Sequence, residues 1–246
     1  MRSLRGGNHR TEIKALLFDS GRVLNRPASG HWFITPNFFN VIDERSFKSI
    51  DKHSINNAFH TAGKYISEQS LIRNKDEEYV HFVEFYRIFS AELPQLGMDD
   101  KHVKSIAEDL VHNNKKYTFY NDAIELIPKL SEKYKLAVVS DAWPSLDHVY
   151  RESGLRDYFS SFIISSVLGV NKPHELMYKT ALEELQLSPS EVLFIDDNIR
   201  NCDGAKELGI RAFLLCRDWK HYIYYKITCK NYPVIRNINE LIKKIR

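Results

Sequence analysis

The sequence predicts a doubly wound α/β fold, a parallel sheet with helices on both faces, carrying one inserted all-helical segment. Three observations lead there. Short unbroken apolar runs recur at "IKALLF" (13–18), "KLAVVS" (135–140), "EVLFI" (191–195) and "RAFLL" (211–215). They are too short for helices and lack the alternation of a half-exposed strand, so they suit strands buried on both faces. From about residue 117 onward helical patterns separate these runs, and strand–helix alternation marks a parallel sheet. Residues 26–116 have a different character, with apolar stripes at helical spacing.

Residues 1–11 are polar, basic and glycine-containing and read as a flexible leader. The first strand follows almost at once. Within the insertion, "SINNAFHTAGKYI" carries Ile55, Ala58, Phe59, Ala62 and Ile66 on one face. Residues 75–93 do the same with Tyr79, Phe82, Val83, Tyr86, Phe89 and Leu93, and "KHVKSIAEDLVH" with Val103, Ile106, Ala107 and Leu110. The aromatic stripe is read as a packing face and not a cofactor box. "NDAIELIPKLSEKY" and "PSLDHVYRESG" flank the second strand as helices, and "SFII" (161–164) is a fifth strand. A helix from His174 to Leu187 shows the stripe Met177, Ala181, Leu182 and Leu185 and is stopped by Ser188-Pro189. "NCDGAKELG" is the helix between the third and fourth strands, and "WKHYIYYKITCKNYPVI" (219–235) adds a closing strand or two. The expected division is thus 12–25 with 117–246 as the α/β core, and 26–116 as the helical insertion.

Composition narrows the function classes. The formal net charge is only +3, with short basic clusters at "MRSLRGGNHR" and "LIKKIR", so charge does not call for nucleic acid. Three cysteines, Cys202, Cys216 and Cys229, form an odd set without CxxC or Cys/His metal spacing. That argues against a disulfide framework or zinc site, and a reducing cytoplasm is the default expectation. No apolar stretch approaches a membrane span, and no signal-peptide core precedes the first strand. The expectation is a soluble, cytoplasmic monomer or homodimer with a small-molecule partner and no membrane.

In open parallel sheets, ligands bind outside the carboxyl ends of the strands. Asp19 follows the first strand, Ser140 and Asp141 end the second, and Asp196-Asp197 follow the third. A single Asp in such a place is ordinarily a turn former or helix cap. Two adjacent acids repel unless something positive absorbs their charge, and a hard cation such as Mg²⁺ does so with a few carboxylates and several waters. Lys172, next to Pro173 at the start of a helix, adds an ammonium near the same edge.

These segments resemble, in order, the four motifs of the haloacid dehalogenase superfamily, a group of aspartate-nucleophile hydrolases dominated by phosphatases. "LLFDSGRVL" is similar to the first, "LAVVSDA" to the second, "SSVLGVNKPHELMY" to the third and "VLFIDDNIRNCDGAKELGI" to the fourth. The resemblance implies a Rossmann-like core and a helical C1-type cap over the site. It further implies Asp19 as nucleophile, a Mg²⁺ site formed by Asp19, the Gly21 carbonyl, Asp196 and Asp197, and a phosphate cage of Ser140, Asp141 and Lys172. The implied activity is Mg²⁺-dependent phosphatase or phosphotransferase chemistry on a small phosphorylated metabolite, through an aspartyl-phosphate.

One residue departs from the pattern. Most of these phosphatases carry a second Asp two positions after the nucleophile, whose carboxyl serves as general acid and base; here that position is Gly21. Such assistance is typically worth ~10²–10⁴-fold. Either the leaving group is good, or His31, Asp141 or His174 takes over. His31 and Trp32, in "PASGHWFITPNFF" (27–39), are candidate substrate contacts. Two alternatives stand beside the phosphatase reading: a metal-independent haloacid dehalogenase using the same aspartate, and a non-catalytic binding protein.

Overall fold

The computed structural model describes residues 11–245; the expected leader lies outside them but for Thr11. Strand β1 (Ala15–Phe18) leads into β2 (Asn25–Pro27). The insertion then runs through α1 (Phe38–Val41), α2 (Glu44–Ser49), α3 (Lys52–Ser67), α4 (Lys75–Glu92) and α5 (Asp100–His112). Strand β3 (Tyr117–Phe119) closes it by pairing antiparallel with β2. The remainder is α6 (Asn121–Ser131), β4 (Lys135–Ser140), α7 (Ser145–Glu152), β5 (Ser161–Ile164), α8 (Ser165–Leu168) and α9 (Glu175–Leu185). It ends with β6 (Val192–Asp196), α10 (Ile199–Glu207), β7 (Arg211–Leu215), α11 (Trp219–Thr228), β8 (Val234–Ile235) and α12 (Ile238–Ile245).

Six strands form one parallel sheet in the order β5-β4-β1-β6-β7-β8. The chain works outward from β1 on the β4 side, then crosses to β6 and works outward again. The strand order therefore reverses beside β1, which opens a crevice at the carboxyl ends of β1 and β6. Burial explains the unbroken apolar runs. Leu16 and Phe18 of β1, with Leu136, Val138, Leu193 and Ile195, face Leu126, Val149 and Leu241 of the helices on one side. Ala15 and Leu17, with Ala137, Val139, Val192 and Phe194, face Met177, Ala181 and Ala205 on the other. Successive side chains of a strand point to opposite faces, so covering both makes every position apolar.

The insertion has a core of its own, built on Phe38, Phe59, Phe82, Phe85, Tyr86 and Phe89. Its three long helices α3, α4 and α5 begin at Asp51, Asn74 and Asp99, whose side chains accept an otherwise unpaired first-turn amide. The three apolar stripes are buried, with Ile55 and Tyr79 only partly covered. Phe85, off its stripe, is fully buried because Phe33 packs on it with ring centroids 4.7 Å apart.

Three details correct the sequence reading. At the expected boundaries of the insertion a short ribbon that the sequence reading did not include sets Asn25–Pro27 against Tyr117–Phe119 and holds the two connections side by side, with only Arg26 and Pro27 of it inside 26–116. Helix α9 starts at Glu175 with His174 as its cap, so Pro173 precedes the helix and is not its first residue; it ends at Gln186, which adopts φ 57°, before Ser188-Pro189 is reached. Residues 219–235 form α11 and only the two-residue β8. Asp218 accepts from the amides of Lys220 and His221, and this capping outweighs the β-propensity of the Tyr- and Ile-rich run. No helix among the described residues is long and apolar enough to cross a membrane.

Candidate active site

Register brings the expected groups to one edge. Phe18 is level with Val138 on β4 and Ile195 on β6, so Asp19, Ser140, Asp141, Asp196 and Asp197 emerge together just beyond. The Asp19 N–H donates to the Ile195 carbonyl at 2.9 Å, which continues the β1–β6 ladder into the first catalytic candidate. Below it, the Ser20 hydroxyl is bonded to the Tyr150 hydroxyl at 2.8 Å and accepts from Asn25 Nδ2 at 2.7 Å. These contacts fix the turn that follows β1.

Lys172 reaches in from the loop before α9. Its ammonium donates to Asp19 Oδ1 at 2.7 Å and Asp196 Oδ2 at 2.8 Å, and its backbone N–H to Asp141 Oδ1 at 2.9 Å. All three charged side chains of the central bridge are buried, Lys172 at 1% exposure, Asp19 at 11% and Asp196 at 0%. Asp196 also accepts from the Asn198 N–H at 2.8 Å and Asn201 Nδ2 at 3.0 Å. Gly204 of α10 permits this arrangement, because a Cβ there would lie 2.6 Å from Pro173 Cβ and 2.8 Å from its carbonyl oxygen.

Acids outnumber the cation. Carboxylate oxygens of Asp19, Asp196 and Asp197 lie within 4.8 Å of one another; Asp141 adds a fourth acid, and Arg22 stands 3.7 Å from Asp197 at the rim. Burial pushes the Asp19 carboxyl up to about 7, with Lys172 opposing and Asp196 and Asp197 adding to the rise. Burial and then Asp196 lift Asp197 to about 6. Burial also raises Asp141, against the pull of Lys172. For Lys172 burial alone would favour the neutral amine, but Asp19, Asp196 and Asp141 together overcome it and raise its pKa. The cluster is thus short of positive charge.

The turn after β1 leaves one more oxygen. Gly21 pairs with Asn25 through the Ser20 carbonyl and the Arg22 N–H, so its own peptide carbonyl is not spent in that bridge. The three converging carboxylates of Asp19, Asp196 and Asp197 form an all-oxygen donor set of the kind a hard divalent cation takes.

Asp19, Ser140, Asp141 and Lys172 open onto a cavity of about 330 Å³ whose other wall is Trp32, Phe33, Tyr117 and Trp143. A wider cleft of about 550 Å³, between Arg22, Tyr120, Arg217 and His221, touches the acid cluster only at Asp197. Of the two expected substrate contacts, Trp32 lines the smaller cavity and His31 does not. The His31 ring lies 4.5 Å from that of Phe59, and its Nδ1 accepts the Phe33 N–H at 3.2 Å; burial lowers its pKa. His174 spends its Nδ1 on the Leu176 N–H and is also absent from the cavity wall. Sequence reasoning missed Asn198, Asn201, Tyr117 and Trp143. The first was legible as a helix cap directly after the paired acids; the aromatics carry no local signal.

A sequence profile of haloacid dehalogenase-like hydrolases matches residues 33–215. The chain is 26% identical over 132 residues to a phosphoserine phosphatase of Thermus thermophilus, a match covering 51% of this chain and 52% of that protein. It is 27% identical over 172 residues to an (S)-2-haloacid dehalogenase of Xanthobacter autotrophicus, covering 65% and 66%. The chain thus spans between about half and two thirds of these curated relatives. Among solved structures, a Bacteroides thetaiotaomicron enzyme of the same family, in complex with magnesium and inorganic phosphate, superposes with a TM-score of 0.57 at 23% identity, over 85% of this chain and 98% of that one. With its reversing parallel sheet, its helical insertion after β1 and a profile match over most of its length, the chain belongs to the haloacid dehalogenase-like hydrolases.

Proposed function

We propose that this chain is a Mg²⁺-dependent phosphatase or phosphotransferase acting on a small phosphorylated metabolite through an aspartyl-phosphate at Asp19. The observation that carries the reading is the excess of acid: Asp19, Asp141, Asp196 and Asp197 gather around the single ammonium of Lys172. Asp19, Asp196 and the Gly21 carbonyl would hold the cation, with Asp197 supporting it directly or through water. When bound, it supplies neutralisation of oxygen charge and orientation of the phosphoryl group. The chain's own residues do the rest. Asp19 Oδ attacks phosphorus, Lys172 and the Ser140 hydroxyl hold phosphoryl oxygens, and Asp141 keeps Lys172 in place by accepting its backbone N–H.

The dehalogenase relative matches more of the chain than the phosphatase does, which makes carbon–halogen hydrolysis at Asp19 the second reading. That chemistry gives three converging carboxylates no cation to hold, so it ranks below the first. The thiols of Cys202, Cys216 and Cys229 are free, in keeping with a cytoplasmic setting. A screen of phosphate esters with and without Mg²⁺ tests the proposal. Release of phosphate should need the metal and vanish in Asp19→Asn. Equal release by wild type and variant, or metal-independent halide release from 2-haloacids, would overturn it.

A further inference from the structure

We propose that the substrates are aryl phosphate monoesters, with a planar ring carried directly on the phosphoryl oxygen; this rests on the phosphatase reading and names its substrate class. Two features of the cavity converge on it. The first is that the place of the missing acid is filled. A Cβ on Gly21 would meet Trp32 Cη2 at 3.1 Å and Cζ2 at 3.4 Å, so the indole packs directly over this position. Tyr117 braces Trp32 edge-on, with ring centroids 5.3 Å apart. An apolar face therefore stands where a proton donor would, beside the nucleophile. His31 and His174 offer no substitute, since neither lines the cavity; Asp141 does line it, with Oδ1 committed to the Lys172 N–H on the side of the charged cluster and away from position 21's place in the turn after β1.

The second feature is the rest of that wall. Phe33 and Trp143 continue it, their centroids 6.2 Å apart, and both are rooted in the aromatic core of the helical insertion. A cavity of about 330 Å³ with one charged end and one aromatic side suits a flat ring joined to a phosphoryl group.

Leaving-group chemistry asks for the same class. Without a proton donor the leaving oxygen departs as an anion. A phenolate, whose conjugate acid has a pKa of about 10, does so readily; an alkoxide, comparable with the hydroxide of water at about 15.7, does not. In the first step a carboxylate oxygen of Asp19 bonds to phosphorus while the bond from phosphorus to the aryl oxygen breaks. The electron pair leaves on the phenolate, which takes a proton from water and leaves hydroxide. In the second step a water oxygen bonds to phosphorus and the Asp19 oxygen–phosphorus bond breaks. The carboxylate is restored, and the proton released neutralises the hydroxide. The sum is ester plus water giving phenol plus inorganic phosphate.

The test pairs binding with turnover. Calorimetric titration of the Mg²⁺-loaded protein with phenylphosphonate and butylphosphonate, neither of which can be hydrolysed at oxygen, should favour the phenyl compound by about three- to tenfold. Trp32→Ala should erase the preference and Trp32→Phe retain most of it. Across substituted phenyl phosphates, kcat/KM should fall as the phenol becomes more basic, with alkyl phosphates slowest. Equal affinity of wild type for the two phosphonates, or alkyl phosphates cleaved as fast as phenyl phosphate, overturns the aryl assignment and leaves the phosphatase reading intact. Failure of both phosphonates to bind, with no ester cleaved, overturns both.

Discussion

Lys172 is the only cationic side chain lining the smaller cavity among the described residues, and it bridges two buried carboxylates. Removing one partner of a buried ion pair typically costs about 3–5 kcal/mol, because the remaining charges lose their counter-ion and stay out of water. Lys172→Met leaves Asp19 and Asp196 facing each other, so its thermal midpoint should fall well below wild type in metal-free buffer. Mg²⁺ should recover part of the fall, since a ligand bound only by the folded state stabilises it, while turnover stays lost. Scanning calorimetry with and without Mg²⁺ checks this, and a fall that the metal leaves unchanged would count against the cluster as a cation site. Much of this residue-level picture was legible in the sequence. Asp19, Ser140, Lys172 and Asp196 each stand at a strand end or beside a helix start, where pattern and topology locate them. Trp32 was named as a contact, but its packing on Gly21 was not foreseeable. That contact joins two loop positions without periodicity, and only the folded turn brings them together.

At the scale of elements, α10 and the loop that carries Lys172 are fitted to one another through Gly204. An added methyl would fall 2.8 Å from the Pro173 carbonyl oxygen, and that backbone atom cannot swing aside as a flexible side chain does. Overpacking of this kind costs about 1–3 kcal/mol. Gly204→Ala should therefore lower the unfolding midpoint and, by displacing Lys172, reduce kcat by more than its stability loss suggests. Gly63, inside α3, makes the contrast: nothing lies within 4 Å of a Cβ there. Gly63→Ala should stabilise by about 0.5–1 kcal/mol through helix propensity, with kcat unchanged. Urea titrations and steady-state kinetics on the two variants separate the effects. Five of the six sheet strands, β1 and β4 to β7, were readable to within a residue or two, because burial on both faces leaves an unbroken apolar run. Helix α11 was not. Its aromatic and β-branched residues resemble a strand, and the decisive feature was a single Asp218 cap.

At the scale of the whole molecule, the helical insertion is tied to the α/β core by a buried polar cluster as well as by the β2–β3 ribbon. Glu78 of α4 accepts the Ser145 N–H at 2.7 Å, at the first turn of α7, and the Ser145 hydroxyl at 2.5 Å. Lys116, just before β3, donates to the same hydroxyl at 2.5 Å and to the Leu110 carbonyl at 2.6 Å, with its ammonium 3.9 Å from Glu78. Glu78 is 0% and Lys116 5% exposed, so both charges are held out of water. Burial pushes Glu78 up, with Lys116 opposing, and pushes Lys116 down to about 8, with Glu78 opposing. The folded pKa of Lys116 is thus below its ordinary 10.5, so its contribution to stability is present above that value and is lost as pH falls through 8. For Glu78, raised above 4.5, the contribution is present below that value and is lost as pH rises through the folded pKa. At neutral pH Lys116 is below its folded value and carries its charge, so its contribution is not available there and its burial costs stability. Replacing both by neutral residues of similar size, Glu78→Gln with Lys116→Met, should match or exceed wild-type stability at pH 7, as buried pairs exchanged for neutral groups commonly do. Glu78→Gln alone strands the buried ammonium and should be markedly less stable than either. Urea unfolding of the three proteins at pH 7, 8, 9 and 10 tests the assignment. The advantage of the double variant over wild type should shrink as pH climbs through 8, because the wild-type lysine sheds its proton there. An advantage that widens with pH would show that Lys116 is stabilised, not strained, by its burial.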